Sequence, residues 1–161
     1  MSTMDVMKLG TAGFTAALAI HRMEHNGQTP AKGPVVVTGA TGLVGSLLCT
    51  ELEKAGAQAI RAVRRPVKDE ARELYWNPDR GEIDRTKLEG VDAVVHLAGE
   101  NIAGGRWTEA FKQKILDSRI KGTHLISDAL ARLERKPRVF ICASAIGYYG
   151  EGGDDQLTEA D

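Results

Sequence analysis

Residues 34–45, PVVVTGATGLVG, constrain the fold of this chain more than any other stretch. Val35, Val36 and Val37 are consecutive β-branched residues and predict a short buried strand. Glycines at 39, 42 and 45 follow at once, and an amphipathic run begins at Leu43. A lone glycine pattern carries little information. Between a strand and a helix the three glycines acquire separate duties: Gly39 permits a tight exit from the strand, Gly42 lets a phosphate approach the backbone, and Gly45 lets the helix pack against the sheet. Free amides at the helix start then face the anion. An ordinary strand-to-helix turn with incidental glycines is the plain alternative.

The rest of the chain repeats the strand-then-helix theme. Residues 43–55 carry Leu43, Leu47, Leu48 and Leu52 on one helical face, and Gly56 stops the run. Residues 58–63 predict a second strand, 66–72 a short helix, 73–76 a third strand, 77–80 a turn and 86–88 a helical turn. Residues 91–97, VDAVVHL, predict a strong fourth strand leading into Ala98 and Gly99. After a loop at 101–106, Thr108 is a candidate cap for a long helix bearing Phe111, Ile115, Leu116, Ile120, Leu125, Ile126, Leu130 and Leu133, with Gly122 as its weak point. Pro137 breaks the pattern, 139–143 predict a fifth strand, and 144–161 read as a loop. Strands alternating with helices imply an α/β fold with a doubly wound parallel sheet and right-handed crossovers.

Residues 1–33 differ in character from the domain expected over 34–161. Residues 4–25 can form a helix, with Met7, Phe14, Leu18 and Met23 among its apolar residues, and 26–33 read as a linker. The purely apolar part, 14–20, is far too short to span a bilayer, and a secretory cleavage pattern is lacking. Three readings stand: a disordered leader, a helix docked on a partner or on this domain, or a targeting segment. Apolar content of 42% and charged content of 27% are those of a soluble globular protein, and a formal charge of -1 gives no electrostatic reason for a nucleic-acid partner. Cys49 and Cys142 lie in apolar surroundings and read as buried free thiols. They fit a reducing compartment, the cytoplasm or alternatively the interior of a mitochondrion or plastid. The four histidines have no companions at ligand spacing, so no metal site is expected.

Cofactor choice turns on the end of the second strand. A carboxylate there bonds the ribose hydroxyls of NAD, whereas an arginine neutralises the 2′-phosphate of NADP. Arg64 and Arg65 stand at that point with no acid before Asp69, which favours NADP over NAD. A solvated arginine pair beside a turn is the alternative. The small residues after the fourth strand let the chain pass close to a bound adenosine. His96 reads as a core hydrogen-bonding residue. Trp76 either borders the adenine or packs on the sheet, and Trp107 is expected to anchor the long helix, with a place on one wall of the substrate pocket as the alternative.

The pieces VTGATGLVG at 37–45, WNPDRGEID at 76–84, GVDAVVHLAGENIAGGRW at 90–107, SRIKGT at 118–123 and SAIGYYG at 144–150 together resemble the short-chain dehydrogenase/reductase superfamily. The branch is the extended or atypical, NAD(P)-dependent epimerase-like one, and within it the cell-division-inhibitor-like nucleotide-sugar epimerase proteins. The resemblance covers 34–161, about four fifths of the chain. Its first piece is widely shared; LAGENIA with a following RW and SAIGYYG is much more specific. The resemblance implies a Rossmann-like sheet, incomplete at its C-terminal side. It places the pyrophosphate on Gly39, Thr41, Gly42, Leu43 and Gly45, the 2′-phosphate by Arg64, and the chain after the fourth strand, Leu97, Ala98 and Gly99, beside the nucleotide. It makes Ser144 the catalytic hydroxyl that helps a tyrosine orient and polarise the substrate oxygen. Related enzymes move hydride between nicotinamide C4 and an alcohol or ketone carbon, with a lysine lowering the pKa of that tyrosine.

One departure bears directly on activity. No Tyr-x-x-x-Lys pair occurs in the 161 residues, and Tyr148 and Tyr149 belong to the YYG loop. The expectation is nucleotide binding without turnover by these residues alone. The chain is then a fragment of a longer enzyme, a truncated structural or assembly subunit, or a nucleotide-binding module without chemistry of its own. Protein partners covering residues 1–33 and the fifth-strand edge are expected in the subunit reading.

Overall fold

The computed structural model describes residues 11–27 and 33–143. Strand β1 (Val35–Thr38) lies in the interior of the sheet, and all four of its residues are buried. Around it are α1 (Thr11–His25), α2 (Leu43–Lys54), β2 (Ala59–Val63), β3 (Glu73–Asn77), β4 (Glu82–Ile83), β5 (Ala93–His96), α3 (Glu109–Ala131) and β6 (Val139–Cys142). The six strands run in the order β4-β3-β2-β1-β5-β6. Every pairing is parallel except β3 with β4. The expected doubly wound, Rossmann-like α/β fold is therefore the one the chain forms.

Alternation along the strands explains the layers. Val35 and Val37 of β1, with Ala93 and Val95 of β5, face a core completed by Leu48, Cys49 and Leu52 of α2. Val36 and Val94 face the other way, toward Ile60, Leu74, Trp76 and the α3 residues Ile126, Ala129 and Leu130. Buried on both faces, β1 and β5 need continuous rather than alternating apolar residues. The α2 helix ends as predicted at Gly56, whose φ of 81° lets the Ala57 amide reach back to the Leu52 carbonyl at 2.9 Å.

Five local expectations need correction. Residues 66–72 form no helix, because two carboxylates capture the amides a helix would use. Asp69 accepts from the Ala71 and Arg72 amides, and Glu73 accepts from those of Lys68 and Asp69. Strand β4 was not expected; the turn at 78–81 folds it back on β3, pairing Trp76 with Ile83. Leu43 is 73% exposed, although its neighbour Val44 packs against the core and Leu48 and Leu52 are buried. Gly122 is a close-packing point and not a weak one: a Cβ there would stand 3.4 Å from the His96 ring and 3.5 Å from Trp76. Cys49 is buried as expected, but Cys142 is exposed on the edge strand, and both thiols are free.

Helix α1 docks on this domain. It packs against α2, and Met23, fully buried, joins the core of Val35, Leu48 and Cys49 together with Ala19. No helix among the described residues is long and apolar enough to cross a membrane. On the opposite side of the sheet, Phe140 of β6 and Leu116 and Ile120 of α3 are exposed. Thr123 Oγ1 and Cys142 Sγ, 4.0 Å apart, join the same two elements.

If α1 is part of the folded unit, Met23→Ala leaves a cavity between α1 and α2. It should cost about 2–5 kcal/mol in denaturant unfolding. An unchanged midpoint would show that the helix contributes nothing to the domain.

Candidate functional site

The site forms where the connections from β1 and β5 leave the sheet in opposite directions, the crevice in which open parallel sheets bind ligands. Gly39 turns the chain out of β1 with φ of 68°. A Cβ at Gly39 would stand 2.8 Å from the Leu97 carbonyl carbon and 2.9 Å from the Ala98 nitrogen. The two strand ends can thus approach only if residue 39 has no side chain. Gly45 meets the same turn from the other side, where a Cβ would fall 2.2 Å from the Gly39 carbonyl oxygen. That glycine seats α2 on the turn itself and not on the sheet. Gly42 is the N-cap of α2 and provides no side-chain cap. The first-turn amides of α2 consequently have no partner within the helix.

A buried hydroxyl ties the two strand ends together. Thr38, last residue of β1 and fully buried, accepts at Oγ1 from the amides of Leu97 and Ala98, each at 3.2 Å. Its own proton then goes to Nδ1 of His96, 2.7 Å away, which makes His96 the Nε2–H tautomer. The ring stands edge-on to Trp76, with centroids 5.7 Å apart at 86°. His96 Nε2 has no hydrogen-bond partner. Burial lowers its pKa to about 4 and keeps the imidazole neutral. Thr38 was not among the residues singled out from the sequence; a hydroxyl ending an otherwise aliphatic strand was the available signal.

Above this node opens a cleft of about 760 Å³. Gly39, Thr41 and Gly42 border it on one side, and Leu97, Ala98, Gly99 and Glu100 on another. Ala62, Val63, Arg64 and Arg65 continue the rim at the end of β2, beside Trp76, Pro78 and Asp79. The far wall is α3, through Ala110, Gln113, Lys114, Asp117, Ser118 and Lys121. Trp76 thus both packs in the core and faces the cleft. Gly45 lies beneath the turn, Leu43 points outward, and Ser144 falls outside the described residues. Trp107 does not anchor α3: it is 60% exposed and donates Nε1–H to the Ile102 carbonyl of its own loop, 3.0 Å away.

The cations around the cleft are unequal. Lys114 pairs with Glu100 at 2.9 Å and Lys121 with Asp117 at 3.1 Å. Arg65 forks onto both oxygens of Glu73, at 2.9 and 2.5 Å. That guanidinium, with the Lys68 amide, lowers the Glu73 pKa to about 2. Among the described cleft residues, Arg64 alone of the cations has no hydrogen bond or ion pair.

The sequence profile of the NAD dependent epimerase/dehydratase family matches residues 35–161. The chain belongs to that family. An epimerase family protein of Mycobacterium leprae is 42% identical over 134 residues, 83% of this chain and 43% of the relative. The crystal structure of human epimerase family protein SDR39U1 (isoform 2) with NADPH superposes with a TM-score of 0.61 at 29% identity, over 72% of this chain and 38% of that one. MoeE5 in complex with UDP-glucuronic acid and NAD gives 0.57 at 30% identity, over 80% and 42%. The chain spans less than half the length of these three proteins. Solved neighbours thus bind either NADPH or NAD in the fold that this chain adopts.

Two outcomes test the node. Thr38→Val keeps the branched shape but removes the partner of His96 Nδ1 and of the half-buried Ala98 amide, while the Leu97 amide keeps the Thr38 backbone carbonyl, and should cost about 1–3 kcal/mol by denaturant titration. In NMR titration the His96 ring should stay neutral down to about pH 4. The unfolded chain takes up that proton near 6.5, so this residue's contribution to stability falls as pH drops from 6.5 toward 4. An imidazole titrating at its ordinary value would remove this account of the site.

Proposed function

We propose that this chain is the dinucleotide-binding part of a short-chain oxidoreductase or epimerase-type enzyme, and that its dinucleotide is NADP. The observation that carries the reading is the pairing of two features on one cleft. One is a helix start whose N-cap is a glycine with no side-chain cap; the other is a cation at the end of β2 with no partner. The helix start suits a pyrophosphate and the cation suits a 2′-phosphate. The backbone of Leu97, Ala98 and Gly99 forms the floor across from the turn. Trp76 offers an aromatic edge to the same space.

When bound, the cofactor supplies hydride chemistry at an alcohol or ketone carbon. The described residues supply binding: Gly39, Thr41 and Gly42 shape the phosphate seat, Gly45 holds α2 against it, and Arg64 contributes charge. Leu43 takes part only through its backbone amide, since its side chain faces away. Ser144 is the hydroxyl assigned to substrate orientation. Two free thiols accord with a reducing compartment.

A second reading, a noncatalytic subunit that retains the nucleotide fold, draws support from the exposed Leu116, Ile120 and Phe140. Turnover separates the two: NADPH oxidation by the full polypeptide with carbonyl substrates favours the enzyme, and binding without turnover favours the subunit.

Fluorescence titration of the full polypeptide should show NADPH binding more tightly than NADH. Arg64→Ala should weaken NADPH by about tenfold or more, the worth of one charge-assisted hydrogen bond, and leave NADH unchanged. Gly42→Ala should weaken both, since the added methyl takes up space where a phosphate would approach the backbone; within the protein it meets only the Gly39 carbonyl oxygen, at 3.2 Å, which must give by a few tenths of an ångström. No binding of either dinucleotide at saturating concentration would overturn the reading.

A further inference from the structure

We infer that Arg65 and Glu73 govern the preference for NADP without contacting the nucleotide: they are positioning residues that hold the 64–72 connection so that Arg64 is presented to the cleft. This inference rests on the NADP reading above and adds residues that the reading does not use.

The connection between β2 and β3 joins two parallel strands without a helix, so nothing periodic stiffens it. Glu73, the first residue of β3, is 9% exposed and does that work with one carboxylate. Its two oxygens take the Arg65 fork, and Oε2 also takes the amides of Lys68 at 2.8 Å and Asp69 at 3.4 Å. Arg65 Nη1 donates in addition to the Pro66 carbonyl at 2.9 Å. Farther along, Gln58 donates to the Ala71 carbonyl at 2.8 Å, and Lys87 donates to the carbonyls of Glu70 and Glu73 at 2.9 and 3.0 Å.

Arg64 therefore sits between two fixed points. Val63 before it is the buried end of β2, and Arg65 after it is bound to β3. An exposed ion pair by itself is worth little. This one differs because the carboxylate is buried, is held bidentately and gathers two backbone amides, so its effect is geometric. A phosphate ligand already in place loses less freedom on binding than one on a loose loop. Arg65 lines the cleft as well, and in this account the fork on Glu73 occupies its guanidinium and leaves the phosphate to Arg64.

The test measures dissociation constants of NADPH and NADH for the full polypeptide and for Glu73→Gln, Arg65→Ala, Arg65→Lys and the Glu73→Gln/Arg65→Ala double variant. The expected result is a drop of about tenfold in NADPH-over-NADH preference for each of the first two, carried by NADPH alone. The double variant should lose no more than either single one, and Arg65→Lys, which keeps one point donor, should fall between wild type and Arg65→Ala. An unchanged or increased preference in Glu73→Gln overturns the inference, because a released Arg65 would then be acting on the phosphate or the pair would be irrelevant. Parallel weakening of NADPH and NADH overturns it too, as the mark of a merely structural role. Should Glu73→Gln not fold, Arg65→Ala decides alone, its side chain being 45% exposed. A wild type without preference for NADPH would overturn the NADP reading itself, an outcome distinct from a wild-type preference that the pair does not affect.

Discussion

The architecture around the cleft depends on the close approach of Gly39 to the backbone of Leu97 and Ala98. With a hydrogen as its only side chain, residue 39 lets the exits of β1 and β5 meet where any Cβ would collide with main-chain atoms. Gly45 repeats the condition one turn into α2. Together they bring a helix start, a strand exit and a second strand exit to one point of the sheet edge. Thr38 then satisfies the amides that this crowding buries, and His96 takes the remaining hydroxyl proton. Steric permission comes from the glycines and polar satisfaction from the threonine.

Charge is arranged around that point with similar economy. Lys114, Lys121 and Arg65 each neutralise an acidic neighbour, so most of the positive charge near the cleft is internally compensated. Among the described residues that line the cleft, Arg64 is the exception, at the end of β2, where α/β sheets of this class place their contacts to the adenosine ribose. Glu73 matters here through where it lies: as the first residue of β3 it anchors a nine-residue connection to a strand buried in the sheet. Family membership, the fold and NADPH- or NAD-bound neighbours all accord with this geometry.

Much of this was legible in the order of residues. The three consecutive valines before a glycine turn, the Leu48 and Leu52 face, the Gly56 stop and the Thr108 cap all appear where local chemistry puts them. Thr108 Oγ1 accepts from the Phe111 amide at 3.2 Å. The elements misread were those in which side chains from elsewhere take over the backbone. Residues 66–72 have helix-compatible composition, but Asp69 takes the Ala71 and Arg72 amides and Glu73 those of Lys68 and Asp69, and Glu73 belongs to the next strand. Gly122 looks like a helix defect until α3 lies on the sheet, where a Cβ would already touch the His96 ring and Trp76. Strand β4 is two residues long, too short for a periodicity to show.

Sequence alone determined the parallel α/β class, the location of the glycine turn and the pair of basic residues after the second strand. These follow from contacts within a few residues of one another, and from the period of two or of 3.6 at which apolar side chains recur. Only the tertiary structure decided that Met23 belongs to the core, that Thr38 joins two strands, and that of the two adjacent arginines one is held and one is free. Those outcomes depend on partners in other elements: Val35 and Leu48 for Met23, His96 and Ala98 for Thr38, Glu73 of the next strand for Arg65. No local pattern encodes such a meeting, because packing of the sheet, and not the spacing of residues, brings the groups within reach.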